Sequence, residues 1–326
     1  MRAIRIHELK GIEALRLEDV AAPKPGPGEV RIAIHAAGVN FADTLMLTGV
    51  YQFIPPLPFI PGMEAAGEVL EVGPGVAEFK PGDRVLAPMR SGAYAEEALV
   101  DAGHVVAMPD SMDYASGAAF PIAYGTSHLA LTHRTRLQAG EVLLVLGAAG
   151  GVGLTAVEIG KALGATVIAC ASSDDKLRIA ESRGADHLIN YATEDIRDRV
   201  KALTGGADVV YDPVGGSASH EAMRCLNYEG RLITLGFASG EIPKFAANYL
   251  LVKNISAIGY SFSTYRFEQP DVMRHTLAET CKWYAEGKLK PHISFTYPLE
   301  ETAAALTSLI ERRSTGKVVV KVRNDG

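Results

Sequence analysis

The chain has 326 residues, 48 % of them hydrophobic, and its 32 Lys and Arg against 38 Asp and Glu give a formal charge of −6. That length and apolar share suffice for a large core and two domains, while an acidic balance with scattered basic residues leaves no electrostatic footprint for nucleic acid. Three cysteines, Cys170, Cys225 and Cys281, lie far apart with no C-x-x-C spacing, which excludes a disulfide framework or a zinc site built from neighbouring cysteines.

In chain order, Arg2, Arg5, Glu8 and Lys10 interrupt any apolar stretch of signal-peptide length, so a cytoplasmic protein is expected. The first third reads as β-rich and irregular. Strands are predicted over Glu29 to Ala36 and Gly67 to Val72, with turns at Gly73-Pro74-Gly75 and Lys80-Pro81-Gly82-Asp83. Tyr114 to His133 carries no full charge, yet Gly117, Pro121 and Gly125 argue against a membrane span. From about Tyr124 the texture changes to helices alternating with apolar strands, predicted at Glu141 to Leu146, Thr166 to Ala171, His187 to Asn190, Asp208 to Asp212, Arg231 to Leu235 and Ile255 to Tyr260. Strands of Val, Leu and Ile separated by helices imply a parallel sheet covered on both faces. A helix from Pro270 to Glu286, another from Leu299 to Arg312 and a last strand from Lys317 to Val322 follow. Because six strands already complete a doubly wound sheet at Tyr260, this tail is expected to rejoin the first domain.

The run from Val142 to Gly153 carries the most chemistry. An apolar strand breaks at Gly147-Ala148-Ala149-Gly150-Gly151-Val152-Gly153 and enters a helix, predicted over Leu154 to Leu163. Gly150 and Gly151 let the backbone turn sharply beside a pyrophosphate, and Gly153 lets the helix pack tightly on the strand. The helix start then offers unpaired N–H groups to phosphates, which makes Ala149, Gly150, Gly151 and Val152 cofactor-binding candidates. Ala148 replaces the first glycine of G-x-G-x-x-G, and Leu154 stands where a P-loop would have lysine, which excludes that motif.

Taken with Lys24-Pro25-Gly26-Pro27-Gly28-Glu29-Val30, Gly38-Val39-Asn40-Phe41-Ala42-Asp43, Pro61-Gly62-Met63-Glu64-Ala65-Ala66-Gly67, Lys80-Pro81-Gly82-Asp83-Arg84-Val85, Tyr124-Gly125-Thr126 and Gly316-Lys317-Val318-Val319, the chain resembles the medium-chain dehydrogenase/reductase superfamily, and within it the zinc-independent NADPH:quinone oxidoreductases. The resemblance implies an α/β chain. A GroES-like β-rich catalytic domain would cover residues 1–123, a Rossmann doubly wound parallel sheet 124–262, and a C-terminal return to the catalytic domain 263–326. Zinc-dependent members carry a cysteine ligand where Asn40 stands and a histidine where Met63 stands, and no metal site is expected here.

Several site residues follow. At the end of the second sheet strand, Ser172 and Ser173 replace the acidic residue that would favour NAD and repel a 2′-phosphate, and Lys176 adds a cation, so NADPH is expected; the serines could also be plain helix caps. The resemblance adds Tyr191 and Arg313 to the adenosine-phosphate pocket, and Asn40, Asp43 and Thr126 to the nicotinamide end. Thr126 precedes a helical stretch and could be a cap; Asp43 could be a cap or an ion-pair partner. Phe237 and Phe262 follow the fifth and sixth strands, where open α/β sheets bind ligands, or pack there. In the loop where these enzymes often carry two tyrosines, Leu45 stands at the first position and Tyr51 keeps the second, as proton donor or as packing over the site. The predicted catalytic residues are thus Tyr51, Asn40 and Asp43. The expected function is zinc-independent, NADPH-dependent reduction of quinones or α,β-unsaturated carbonyl compounds by a homodimer, with no nucleic-acid or membrane partner. An enoyl-thioester reductase or a non-enzymatic, crystallin-like or RNA-binding relative are the alternatives, and no G-x-S-x-G elbow supports a hydrolase.

Overall fold

A computed structural model describes residues 1–323. The chain forms two compact units, Met1–Gly125 with Tyr265–Gly326, and Thr126–Thr264.

The first unit is built on one long strand, Glu29–Val39, in which Val30, Ile32 and Ile34 are buried and Arg31 and His35 are partly exposed. This alternation buries one face of the strand. One edge pairs with Glu64–Val72. The other is shared: Glu29 to Ala33 pair with Glu97–Asp101, and Ala36 to Val39 with Lys317–Lys321. Arg84–Pro88, Val106–Ala107 and Ile293–Pro298 complete a seven-stranded sheet. Two strands of the described fold were not predicted at the N-terminus: Arg2–Ile6 and Leu15–Asp19 form an antiparallel pair. Their mixed charge and aliphatic content hides the alternation. Ile293–Pro298 was also missed, and the helix expected from Leu299 to Arg312 is a 3-10 turn, Leu299–Glu301, followed by an α-helix over Thr302–Ile310.

The second unit is a six-stranded, wholly parallel sheet in the order His187–Asn190, Thr166–Ala171, Val142–Val145, Ala207–Asp212, Leu226–Thr234, Ser256–Gly259. The order reverses at Val142–Val145, the strand that enters the glycine turn, which is where such sheets bind ligands. Leu226–Thr234 begins five residues before the predicted Arg231; its first part is irregular, the register shifting before Arg231 and Glu229 adopting φ 59°. Among the described residues no helix is long and apolar enough to cross a membrane.

Candidate active site

In the second unit the strand Val142–Val145 leads into Gly147, which adopts φ 60°, and then into the helix Gly151–Ala162. A Cβ on Gly153 would lie 2.1 Å from the Gly147 carbonyl oxygen, so only glycine permits this turn to close on the helix. Gly150 caps the helix with no side-chain hydrogen bond. No side-chain oxygen therefore satisfies the N–H groups of its first turn. Ala149 is buried and Gly150 exposed. The Val152 carbonyl accepts from Ser127 Oγ at 2.9 Å and Thr155 Oγ1 at 3.0 Å, and Ser127 also contacts Tyr211 Oη at 2.8 Å. Three buried hydroxyls thus fix the helix start against the fourth strand.

Ser172 is exposed, and Ser173 caps the helix Asp174–Ser182, its Oγ 3.5 Å from the Lys176 N–H. Asp174 accepts from Asn190 at 2.7 Å and Asp175 pairs with Arg178, so both acids serve the helix start. Tyr191 and Phe237 are exposed, whereas Phe262 is buried. Thr126 does not precede a helix but lies inside one, Pro121–Leu129; Pro121 at the first position sets the start five residues earlier. Its carbonyl accepts from Tyr260 Oη at 3.2 Å. Arg313 belongs to the first unit and pairs with Glu311 at 2.6 Å.

The first unit brings Asn40 and Asp43 together at the start of the helix Phe41–Leu47. Asp43 is fully buried; its Oδ2 accepts from the Asn40 backbone N–H at 2.8 Å and from Tyr94 Oη at 2.8 Å, while Oδ1 has no partner. Burial raises its carboxyl from 3.8 to about 7, against the lowering effects of Tyr94, the Asn40 N–H and Lys317. The Asn40 side chain is held elsewhere: Oδ1 accepts from Lys317 Nζ at 2.7 Å and Nδ2 donates to Glu64 Oε1 at 2.8 Å. Lys317 and Glu64 form a buried ion pair at 2.7 Å, and Glu64 also accepts from the Ile122 N–H at 2.7 Å. Gly38 makes room for this carboxylate, since a Cβ there would stand 2.5 Å from Glu64 Oε1. Tyr51 follows the helix, half-buried against the core of this unit.

The two parts of the chain that carry these groups match two family models, one described as an alcohol dehydrogenase GroES-like domain over residues 26–110 and one as a zinc-binding dehydrogenase over 151–278. Mouse quinone oxidoreductase-like protein 2 is 40 % identical over 99 % of this chain and 92 % of its own, and rat quinone oxidoreductase is 36 % identical over 98 % and 96 %. The chain belongs to the zinc-independent quinone oxidoreductase family of the medium-chain dehydrogenase/reductase superfamily. An Escherichia coli quinone oxidoreductase, solved in complex with NADPH, superposes with a TM-score of 0.90 at 30 % identity, covering 99 % of this chain and 100 % of that one.

In this family member the donor set does not fit the zinc that the second family description carries. Both polar atoms of Asn40 are engaged by Lys317 and Glu64, and the ammonium group of Lys317 lies among them, so a second cation would meet charge repulsion. Met63 is a buried thioether. Among the described residues no three His, Cys, Asp or Glu side chains form a group that could hold a metal.

Sequence reasoning named Asn40 and Asp43 but missed Glu64, Lys317, Tyr94 and Arg266 as parts of the same unit's polar interior. Glu64 and Lys317 stood inside two quoted motifs, each the one charge of its motif and of opposite sign to the other, which is a signal for a buried pair. Tyr94 and Arg266 carried no such signal.

Proposed function

We propose that the protein is a cytoplasmic, NADPH-dependent oxidoreductase that reduces quinones or α,β-unsaturated carbonyl compounds without a metal. The observation that carries this reading is the commitment of Asn40 to Lys317 and Glu64. Oxidation of an alcohol in this superfamily needs a Lewis acid on the alkoxide, whereas a conjugated carbonyl can take hydride at carbon and spread charge to oxygen. NADPH supplies that hydride when bound.

The chain's own residues do the rest. The uncapped N–H groups at the start of Gly151–Ala162 receive the pyrophosphate, and Ser172, Ser173 and Lys176 receive the 2′-phosphate, with Tyr191 beside the adenosine. Asn40 has a second amide N–H that no described residue accepts, free to hold ligand, while Lys317 and Glu64 fix the orientation of the amide. Asp43 Oδ2 is taken up by the Asn40 N–H and the Tyr94 hydroxyl, so it acts as a positioning residue through the Asn40 backbone. Tyr51 donates the proton that the developing enolate requires.

The test is NADPH consumption with a panel of quinones, simple enones and enoyl thioesters. Turnover of quinones and simple enones is expected; turnover confined to enoyl thioesters, or none with any member, refutes the reading. Tyr51→Phe keeps the ring and removes the hydroxyl, and is expected to lower kcat for an enone by roughly 10²–10⁴. A kcat near that of the wild type would leave the phenol as packing only.

A further inference from the structure

Two long cationic side chains are buried among the described residues. Lys317 is met by Glu64 at 2.7 Å. Arg266, 1 % exposed, has no carboxylate within ion-pair distance among the described residues. Its guanidinium forms one long hydrogen bond, from Nη1 to the Met63 carbonyl at 3.4 Å, and Nε has no partner. It lies 4.6 Å from the centroid of Phe267, a ring that Arg90 also stacks on at 3.3 Å, so a second cation stands nearby, while the carboxylates of Glu64 and Asp43 act on it only from beyond ion-pair distance. Burial lowers Arg266 from its ordinary value to about 10, with Tyr51 the largest of the groups that oppose the shift.

Such an arrangement is costly and serves packing poorly. A lysine or methionine would cover Phe267 equally well, whereas the guanidinium brings five N–H donors, of which Nε–H is buried unmet and Nη1 has only the long bond to Met63. What is missing is an acceptor that gains negative charge.

We propose that Arg266 is a catalytic electrophile, donating its unmet N–H groups to the carbonyl oxygen of the bound quinone or enone and to the oxyanion that forms there. The proposal rests on the carbonyl-reductase reading above. For an enone, hydride bonds to the β carbon, the C=C pair shifts toward the carbonyl carbon, and the C=O π pair moves to oxygen. A proton then completes the α carbon, so the substrate gains two electrons and NADPH loses them. Because charge on oxygen grows along this path, donors fixed in a water-poor setting strengthen their hold as the barrier is crossed.

The test uses 4-nitrophenol, whose phenolate mimics the enolate oxygen, added to the full-length protein with NADP⁺ and followed by its absorbance. Wild type is expected to bind it as the phenolate at a pH where the free phenol is largely protonated. Arg266→Gln should lose at least tenfold in this affinity and about 10²–10³ in kcat for an enone, with NADPH affinity within twofold; Arg266→Lys should recover part of both. Thermal melts confirm folding, and the lysine variant carries the test if the glutamine variant does not fold. The proposal is overturned if wild type binds no phenolate, if either folded variant binds it as wild type does, or if Arg90→Gln rather than Arg266→Gln abolishes binding. A phenolate site lost with Arg266 in a protein that turns over no carbonyl compound would support the anion site and refute only the assigned reaction.

Discussion

Asp43→Asn isolates one buried carboxyl, and the expected effect follows from its surroundings. In the folded chain burial holds this group at about 7, against 3.8 in the open. Between those values the unfolded chain has an ionised Asp43 while the folded chain keeps it protonated, so the folded state binds the extra proton. Its contribution is fully present below about 3.8 and is lost as pH rises to about 7. At about 1.36 kcal/mol per pH unit, the loss is about 4 kcal/mol. Asparagine has nearly the same shape, can accept from Tyr94 and the Asn40 N–H through its oxygen, and does not titrate. Urea unfolding of wild type and variant should be measured at intervals from pH 4 to pH 8.5. Subtracting the two curves cancels Asp83, Asp186 and Glu141, which are lowered in the fold and act in the opposite direction. Relative to wild type, the variant should gain about 4 kcal/mol across the interval, most of it below pH 7. Tyr94→Phe removes a hydrogen bond that lowers the carboxyl, so the wild-type inflection should move to higher pH in that background. A difference curve that stays flat from pH 4 to pH 8.5 would refute the account of Asp43 as a buried, proton-holding group.

Lys317→Met strands Glu64 without its cation and should cost about 3–5 kcal/mol, part of which Glu64→Gln in the same chain restores; equal melting of the single and double variants would count against the pair. Lys176→Ala should weaken NADPH by about tenfold or more while leaving NADH unchanged, as direct titration of both cofactors would show; a wild type that binds both equally contradicts the assignment of Ser172, Ser173 and Lys176. The strand Ser256–Gly259 ends its sheet with one edge unpaired among the described residues, and Leu251 and Val252 just before it are 77 % and 79 % exposed. Pairing of this edge with a second copy would cover it, so light scattering should return a dimer, and a stable monomer at working concentration would contradict that.

Much of the fold is written in local chemistry. The apolar strands around the glycine turn are too short and too β-branched for anything but a covered parallel sheet, and the turn itself requires Gly153. Other elements escape for stated reasons. Arg2–Ile6 alternates arginines with aliphatics, and Ile293–Pro298 is half exposed, so neither stands out from its flanks. Glu229 and Gly230 fall in an irregular stretch of strand, between the pairing at Leu226 and its resumption at Arg231, so no regular alternation marks them. At the site, Asn40 and Asp43 are legible through the resemblance carried by Gly38 to Asp43, and the cap that Asp43 was also open to forming is present beside it. Arg266 is not, since an arginine between Tyr265 and Phe267 reads as an ordinary solvated charge. Only the tertiary structure reveals that it is buried with no carboxylate in ion-pair contact among the described residues.

The ion pair at Asn40 joins residues 253 positions apart in the chain. At about 5–20 residues per second, a ribosome would take on the order of 13–50 s to deliver Lys317 after Glu64 has appeared. Throughout that interval the Glu64 carboxylate has no cation, and the second half of Glu29–Val39 lacks the neighbour that Lys317–Lys321 later provides. The first unit therefore cannot close while its own N-terminal portion is being made. It must wait, with an open strand edge and a solvated glutamate, for the closing strand to arrive after the whole second unit has been synthesised, which makes this stage of biosynthesis the one at which the chain is most exposed to chaperones and to aggregation.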